Sequence, residues 1–284
     1  MNGLLDCSDA ELLGLAQSAY EIPSLAAWRA AELKALRHCT FAPPVLEIGC
    51  GNGRFASLLL PRVDWGVDLN PREVKLCSRN NHLYRRLGCM DARRLRFANG
   101  VFATVFANCV IEHIPDLRRV LAECRRVLRP GGSFIATVPL SAMNQHLLIR
   151  KTWYSRWRAA QLQHIHLLEE NGWTSAFTEA GFASVQTTPY LAAHLCELWD
   201  RVDGPLSVGA GPLTLARAYR LGMRLLPAAG RSIVNLQWQR YYMKALRTDP
   251  SRVPCAILIQ AWAPSADPVE SATEPGVATP QPAT

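Results

Sequence analysis

The sequence predicts an α/β fold: a doubly wound, mostly parallel sheet of seven strands with helices on both faces. Short apolar segments alternate with amphipathic ones from residue 45 onward, as in parallel strands joined by helices. The first apolar segment runs directly into a turn with glycine at alternate positions, 49, 51 and 53. Polar residues then stand at the ends of four successive predicted strands. These observations indicate a sheet with a ligand site at one edge.

Composition bounds the class of protein. The chain has 284 residues, of which 49% are hydrophobic, enough for one large domain with a full core or for one domain plus an insertion. Its formal net charge of +8 permits nucleic acid, an anionic membrane surface or an acidic small molecule as partner, and equally permits none of them. The nine cysteines include no C-x-x-C pair, so we expect neither a structural metal nor a disulfide framework. We also expect no signal peptide and no membrane-spanning helix.

The first part of the chain, residues 1–42, is expected to be a helical cap. Residues 9–38 have the pattern of two helices that are broken at Pro23, with Ser24 as a plausible N-cap. A Pro-Pro pair then ends the cap and the first strand begins.

The glycine turn is the most informative stretch. It follows the strand Val45–Ile48 and precedes a predicted helix over residues 54–60. Glycine permits the sharp bend, and it lets a ligand approach the backbone N–H groups at the start of the helix.

Further strands are expected over residues 65–70, 87–91, 101–110 and 133–139, with an amphipathic helix over residues 117–128. Glu47, Asp68, Asp91 and Asn108 then stand at the carboxyl ends of four strands. Because the carboxyl ends of parallel strands meet at one edge of a sheet, we expect these side chains to converge there.

The regular alternation ends after the fifth strand. A sixth strand is predicted over residues 183–187, followed by a helical insertion over 190–250 that is expected to shape the substrate region. A last strand over 251–263 returns to the core, which otherwise comprises residues 43–189. Residues 264–284 have little to bury and are expected to form a disordered tail.

The run Glu47-Ile48-Gly49-Cys50-Gly51-Asn52-Gly53 resembles the first motif of class I S-adenosylmethionine-dependent methyltransferases. Asp68 stands where that family holds the ribose hydroxyls, and Asp91-Ala92 where it places an acid near the adenine. The run N-C-V-I-E-H-I, residues 108–114, is similar to the fourth motif of the small-molecule and lipid branch, which is related to the ubiquinone and menaquinone biosynthesis methyltransferases. The resemblance continues in L-R-P-G-G at residues 128–132 and in E-E-N-G-W…E-A-G-F between residues 168 and 182.

The resemblance covers roughly residues 40 to 190. It implies a Rossmann-like fold, S-adenosyl-L-methionine as cofactor, and in-line methyl transfer to a small-molecule or lipid-like acceptor. The expected cofactor-binding residues are Glu47, Gly49, Gly51, Gly53, Asp68, Asp91, Ala92 and Asn108, with Glu47 near the methionine part. A nicotinamide-binding fold is the nearest rival, but its G-x-G-x-x-G fingerprint differs from the G-x-G-x-G spacing here.

Three histidines are candidates for catalysis. If the acceptor is a hydroxyl, a base assists the reaction, and histidine is poised for proton transfer near neutral pH. His113 follows the fourth strand and is expected to face the methyl end of the cofactor, whereas His164 and His166 fall in a predicted lid. Neither their spacing nor any acidic partner argues for a metal site, and we expect none.

The acceptor stays open at this point. Residues 150–158 are basic with interleaved aromatics, which suits a lid over a small acceptor, a membrane interface or, least well, nucleic acid. Arg217, Arg220 and Arg224 fall on one side of a predicted helix and favour peripheral membrane contact. Members of the resembling family that methylate base amino groups usually have an N-P-P-aromatic motif after the fourth strand, whereas Asn108 is followed by Cys109 and Val110, which argues against adenine-N6 or glutamine targets. We expect nucleic acid to be an unlikely partner. An RNA or protein methyltransferase and a non-catalytic cofactor-binding partner subunit are the alternatives to a small-molecule or lipid enzyme, which we expect in the cytoplasm, or peripheral at the membrane.

Overall fold

The structure is a computed structural model that describes residues 4–80, 82–210 and 213–265. One sheet contains seven strands: β1 (Val45–Ile48), β2 (Val63–Asp68), β3 (Tyr84–Cys89), β4 (Phe102–Asn108), β5 (Leu128–Pro139), β6 (Ser184–Ala192) and β9 (Pro254–Trp262). Two short strands, β7 (Gly209–Ala210) and β8 (Leu213–Thr214), form a separate hairpin.

Ten α-helices accompany these strands in the described residues. They are α1 (Asp9–Ala19), α2 (Pro23–Leu36), α3 (Arg54–Leu59), α4 (Pro71–Asn80), α5 (Leu117–Val127), α6 (Thr152–Leu162), α7 (Glu170–Glu179), α8 (Ala193–Leu206), α9 (Leu215–Leu225) and α10 (Ala228–Leu246). Two 3₁₀ turns, at Ile111–His113 and Ser141–His146, follow β4 and β5. No helix in the described ranges combines the length and the apolar character that a bilayer crossing demands.

The strand order of the sheet is β3-β2-β1-β4-β5-β9-β6. Strands β1 to β5 are parallel, and β9 runs antiparallel to both of its neighbours. The predicted doubly wound, mostly parallel sheet is therefore confirmed. The order reverses between β1 and β4, and in open α/β sheets ligands bind in the crevice beyond the carboxyl ends of the strands at this point.

Two hydrophobic cores cover the two faces of the sheet. Helices α5 and α7 bury one face, where Phe134 packs against Phe177 and Phe182 with ring centroids 5.4 and 6.1 Å away. The amphipathic pattern of α5 is explained by this packing, since Leu117, Val120, Leu121, Cys124 and Val127 are all buried in the core. The other face is buried by α1, α2, α8 and α10 together. The N-terminal cap and the insertion thus share a single core.

Several predicted boundaries were wrong by a few residues. Helix α2 begins at Pro23, because proline suits the first helical position, so Ser24 is not the N-cap and instead donates a hydrogen bond to Asp203 Oδ1 at 2.9 Å. Strand β3 ends at Cys89, so Asp91 lies in the loop beyond it. Strand β6 extends to Ala192, because Tyr190 and Leu191 are buried in the core. Of the predicted tail, residues 266–284 lie outside the described residues.

The basic aromatic segment over residues 150–158 is partly buried. Trp153 is 62% exposed, but Tyr154 is buried and donates a hydrogen bond to Asp200 Oδ2 at 2.9 Å. The Arg158 guanidinium is also buried, with Nε 2.7 Å from Asp200 Oδ1 and Nη2 2.8 Å from Asp203 Oδ2. These contacts hold α6 against α8. Of the three interpretations of residues 150–158, we therefore favour a lid over a small acceptor.

Replacing Arg158 by Ala should destabilise the protein by about 3–5 kcal/mol, because Asp200 would be left buried without its cation. Arg156→Ala is the matched control: Arg156 is two residues away on the same helix and exposed, so its change should stay within about 0.5 kcal/mol. Urea unfolding of the two variants measures the difference. Equal losses would show that the buried ion pairs do not hold α6 in place.

Candidate active site

The glycine turn after β1 has the backbone conformation that its sequence predicts. Gly49, Gly51 and Gly53 have φ values of +67°, +50° and +75°. A Cβ at Gly49 would lie 2.5 Å from Val110 Cγ2, so the turn packs directly on the segment after β4. A Cβ at Gly51 would meet no atom within 4 Å. The turn therefore presents open backbone to whatever binds above it.

Asp68 links this turn to β2 through hydrogen bonds. Its Oδ2 accepts a hydrogen bond from the Gly51 N–H at 2.8 Å, and its Oδ1 accepts one from the Asn70 N–H at 2.8 Å. An ionised carboxylate has about four acceptor positions, so two stay available. A pair of vicinal hydroxyls, such as those of a ribose, donates the hydrogen bonds that these positions accept. The open turn and the unused acceptors fit an adenosyl cofactor.

Glu47 lies beneath the turn and is 3% exposed. Its Oε2 accepts a hydrogen bond from the Tyr84 hydroxyl at 2.6 Å. Burial is the main cause that raises the pKa of Glu47 to about 8, and the nearby Asp68 carboxylate acts in the same direction. The hydrogen bond from Tyr84 acts in the opposite direction and lowers this pKa. A nearby cationic ligand would favour its ionised form. Tyr84 was not predicted as part of this region.

Asp91 borders a cavity of about 430 Å³ beyond β2 and β3, together with Leu69, Cys89, Met90, Arg94 and Arg96. Arg93 donates to both of its carboxylate oxygens, at 2.6 to 3.1 Å, and this hydrogen bonding lowers the pKa of Asp91. Leu69 is 66% exposed at the cavity wall, where it offers an apolar surface to a flat ring. Leu69 was not predicted as a site residue, although its position directly after the strand-end acid Asp68 could have indicated it. Ala92 is buried in the core.

Asn108 points into a buried polar network. Its Nδ2 donates to Glu32 Oε2 at 3.2 Å, and its Oδ1 accepts from the Thr137 hydroxyl at 2.9 Å. Glu32, which is fully buried on α2, also accepts from Trp28 Nε1 at 3.0 Å and from Arg29 Nη1 at 2.7 Å. Cofactor contact by Asn108 stays a prediction. Glu32 was missed because no motif marks it, although an acid on an apolar helix face was a signal.

A second cavity of about 190 Å³ lies beyond β4, between α2, the turn at Ile111–His113 and α8. Aromatic and aliphatic side chains form one part of its wall, among them Trp28, Met143, Leu162 and Trp199. Glu112, His113 and His164 form a polar part. A separate cavity of about 280 Å³ between α2 and β6 contains none of the predicted site residues.

The fold brings His113 and His164 together. Their ring centroids are 5.2 Å apart, and burial lowers the pKa of both rings, that of His164 to about 4. Glu112 Oε1 lies 3.6 Å from His113 Nε2, and burial raises the pKa of Glu112 to about 8. Glu112 is therefore an acidic partner of these histidines that was not predicted from the sequence. His166 is elsewhere, with Nε2 3.1 Å from the Ile114 carbonyl oxygen.

Residues 46–136 match the family model described as a methyltransferase domain. The match begins in β1 and ends in β5, so it includes the glycine turn, Asp68, Asp91 and the Glu112–His113 turn. Residues 46–136 therefore form a methyltransferase domain.

Curated relatives of this methyltransferase domain act on different acceptors. The chain is 27% identical over 155 residues to a malonyl-[acyl-carrier protein] O-methyltransferase of Paenibacillus sp. (strain JDR-2), covering 50% of this chain and 56% of the relative. It is 32% identical over 149 residues to the protein of that name in Alcanivorax borkumensis, covering 50% and 49%. A phthiotriol/phenolphthiotriol dimycocerosates methyltransferase of Mycobacterium leprae is 42% identical over 94 residues, covering 31% and 34%. The chain thus spans about half or less of these relatives.

Solved methyltransferase structures share the fold. A SAM-dependent methyltransferase of Thermotoga maritima aligns with a TM-score of 0.54 at 16% identity, covering 87% of this chain and 93% of that one. Phosphoethanolamine N-methyltransferase 2 of Haemonchus contortus, in complex with S-adenosyl-L-methionine, aligns with a TM-score of 0.55 at 15% identity, covering 91% and 58%. At these identities the likeness concerns the fold alone.

Asp68→Ala should weaken binding of S-adenosyl-L-methionine at least about tenfold, the loss expected when a charged hydrogen-bond partner is removed. Calorimetry measures the affinity, and circular dichroism checks that the variant is folded, since Asp68 also holds the turn. Asp249→Ala, which changes an exposed acid in the loop before β9, is the control and should bind as the unaltered protein does. Unchanged affinity of a folded Asp68→Ala protein would remove Asp68 from the site.

Proposed function

We propose that the protein transfers the methyl group of S-adenosyl-L-methionine to an oxygen of a small-molecule or lipid-like acceptor. The observation that carries this proposal is the cavity beyond β4, which combines an apolar wall with the Glu112–His113–His164 group. It lies at the same edge of the sheet as the glycine turn, because β1 and β4 are adjacent parallel strands. A cofactor above the turn and an acceptor in this cavity would be neighbours.

The cofactor half of the site would use Gly49, Gly51 and Gly53 for close backbone approach and Asp68 for the ribose hydroxyls. Glu47 would act near the methionine part, where its ionised form suits a cation. Asp91, with Leu69 beside it, would border the adenine. When bound, the cofactor supplies a methyl group already activated on a sulfonium. The protein therefore has to orient two reactants and exclude water.

The acceptor half would orient a hydroxyl or carboxyl oxygen against the methyl carbon. His113 Nδ1 lies 3.0 Å from the Gln163 carbonyl oxygen, so Nδ1 carries the proton and Nε2 is left as an acceptor. An acceptor hydroxyl can donate to this Nε2 and pass its proton there as the new C–O bond forms. The His164 ring lies beside the His113 ring. His166 contacts the Ile114 carbonyl oxygen instead, so we rank it below the other two histidines as a catalytic residue.

The apolar wall supports an acceptor with a hydrocarbon part. Trp28, Met143, Leu162 and Trp199 would contact that part, while its polar end meets the histidines. Two kinds of relative are consistent with this, since one is named as a malonyl-[acyl-carrier protein] O-methyltransferase and the other as a methyltransferase of phthiotriol and phenolphthiotriol dimycocerosates. RNA or protein methylation and a non-catalytic subunit stay as the alternatives.

Transfer of a labelled methyl group to a fractionated lysate tests the proposal. Label should enter the lipid or small-molecule fraction, and His113→Ala should lower the rate by about a hundredfold or more while cofactor affinity is unchanged. His194→Ala, a histidine on α8 outside the cavity wall, is the control. Label in RNA or protein would contradict the acceptor class. Cofactor binding without label in any fraction would favour a non-catalytic subunit.

We further propose that α9 and α10 contact an anionic membrane surface, from which a lipid acceptor would enter. Leu221, Leu225, Ile233 and Leu236 are between 47% and 77% exposed on these helices. The exposed Arg217, Arg231 and Arg240 lie among them and supply positive charge. Exposed apolar side chains beside arginines suit the interface of an anionic bilayer.

Flotation with phosphatidylglycerol vesicles should recover the protein, and phosphatidylcholine vesicles should recover much less. Leu225→Glu combined with Ile233→Glu should reduce recovery at least about fivefold, because charges would replace the inserted apolar groups. Val101→Glu is the control, since Val101 is a 40% exposed apolar residue at the amino end of β4. Failure of the unaltered protein to float, or equal recovery of all variants, would contradict membrane contact through these helices.

A further inference from the structure

Three potential metal ligands converge in the wall of the acceptor cavity. Glu112, His113 and His164 each offer one ligand atom, and these atoms all lie within 4.8 Å of one another. Bonds of about 2.0–2.2 Å to a metal ion would bring such atoms to roughly 3–3.5 Å apart. Small side-chain rotations therefore suffice to bring the three ligand atoms to bonding distance from one ion.

The ligand atoms are not otherwise used. Glu112 is fully buried, and among the described residues neither of its carboxyl oxygens has a well-formed hydrogen bond. The buried Nδ1 of His164 likewise lacks a partner within the described part of the chain. Buried polar atoms without partners are costly and rare in native proteins. Several of them at one point indicate that a ligand belongs there.

Backbone contacts hold the group in place although its members are far apart in sequence. The Glu112 carbonyl oxygen accepts the N–H groups of Ile165 and His166, both at 2.9 Å. His113 Nδ1 lies 3.0 Å from the Gln163 carbonyl oxygen. Metal-binding histidines commonly use their second nitrogen in this way, because it fixes the ring and directs the free lone pair. His113 Nε2 is thus oriented before any ion arrives.

Nearby cations do not compete for this position. Arg29 Nη1 lies 2.7 Å from Glu32 Oε2, and Arg158 pairs with Asp200 and Asp203. Each guanidinium therefore has a carboxylate of its own, although the buried Nε of Arg29 lacks a hydrogen-bond partner within the described residues.

We propose that Glu112, His113 and His164 bind a divalent first-row transition-metal ion, with its remaining positions open to the acceptor cavity. Two imidazoles and one carboxylate are a known ligand set for catalytic zinc and for non-haem iron, and such sites keep a position open for substrate. All three residues border the same cavity, so the open position faces the acceptor.

The catalytic consequence rests on the proposed function. When bound, the ion would lower the pKa of an acceptor hydroxyl held at its open position, and the proton of that hydroxyl would leave to bulk water. The acceptor oxygen would then attack the methyl carbon: the C–O bond would form as the C–S bond breaks, and the electron pair of the C–S bond would stay on sulfur. His113 is then a ligand and no longer the proton acceptor, so the loaded and metal-free proteins differ in how they activate the oxygen.

Cobalt(II) titration of the chelator-treated full chain tests the binding step without cofactor or acceptor. One equivalent should bind and give the weak visible bands of a nitrogen- and oxygen-ligated ion, without the strong thiolate bands that binding to a free cysteine would give. Glu112→Gln and His164→Ala should each weaken binding at least about tenfold. His194→Ala should bind as the unaltered protein does. Circular dichroism checks that each variant is folded.

Two results would overturn the site: no stoichiometric cobalt binding, or binding that both ligand variants retain. Methyl transfer is measured separately, with and without added zinc or cobalt. If cobalt binds but transfer is equal in the metal-free protein, the ion site stands and its catalytic consequence is wrong. If transfer fails with every acceptor while cobalt binds, the proposed function fails and the metal site does not.

Discussion

The hydrogen bond from the Gly51 N–H to the Asp68 carboxylate is the contact on which the cofactor half of the site depends. It joins the turn after β1 to the end of β2, beside the backbone hydrogen bond that the Cys50 N–H donates to the Val67 carbonyl oxygen at 3.0 Å. The turn can make this bond because its glycines adopt left-handed conformations that other residues resist. Asp68 therefore has a structural role, and in the proposed site its binding role would use only the acceptor positions that the structural hydrogen bonds leave.

A second polar network connects the elements around the cavity beyond β4. Glu32 from α2 meets Asn108 and Cys109 at the end of β4, and Asn108 meets Thr137 on β5. Because these contacts are buried, they determine how the N-terminal helices sit over the sheet. The same helices share a core with α8 and α10 from the insertion. The cavity beyond β4 is thus enclosed by α2 from the N-terminal cap and α8 from the insertion, together with the segments that follow β4 and β5.

The features that the sequence predicted well are local ones. Apolar runs and alternating glycines gave the strands, the turn and the acids at the strand ends, since each depends on neighbouring residues only. Apart from the start of α2 at Pro23, which is a local feature, the main errors are contacts between distant residues. Glu112 adjoins His113 in sequence, but its meeting with His164 depends on how α6 returns to the sheet. Strand β6 was cut short because its first half alternates between exposed and half-buried residues, and only the packing of Tyr190 and Leu191 reveals its length.

The central claim is that the turn and the strand-end acids form one cradle for an adenosyl cofactor. A crystal structure of the protein with S-adenosylhomocysteine tests it most directly. The account predicts the ribose hydroxyls within hydrogen-bonding distance of the Asp68 carboxylate, the methionine part over Gly49 to Gly51, and the sulfur facing the cavity that Glu112 and His113 border. A cofactor bound elsewhere, or one whose sulfur points away from that cavity, would contradict it.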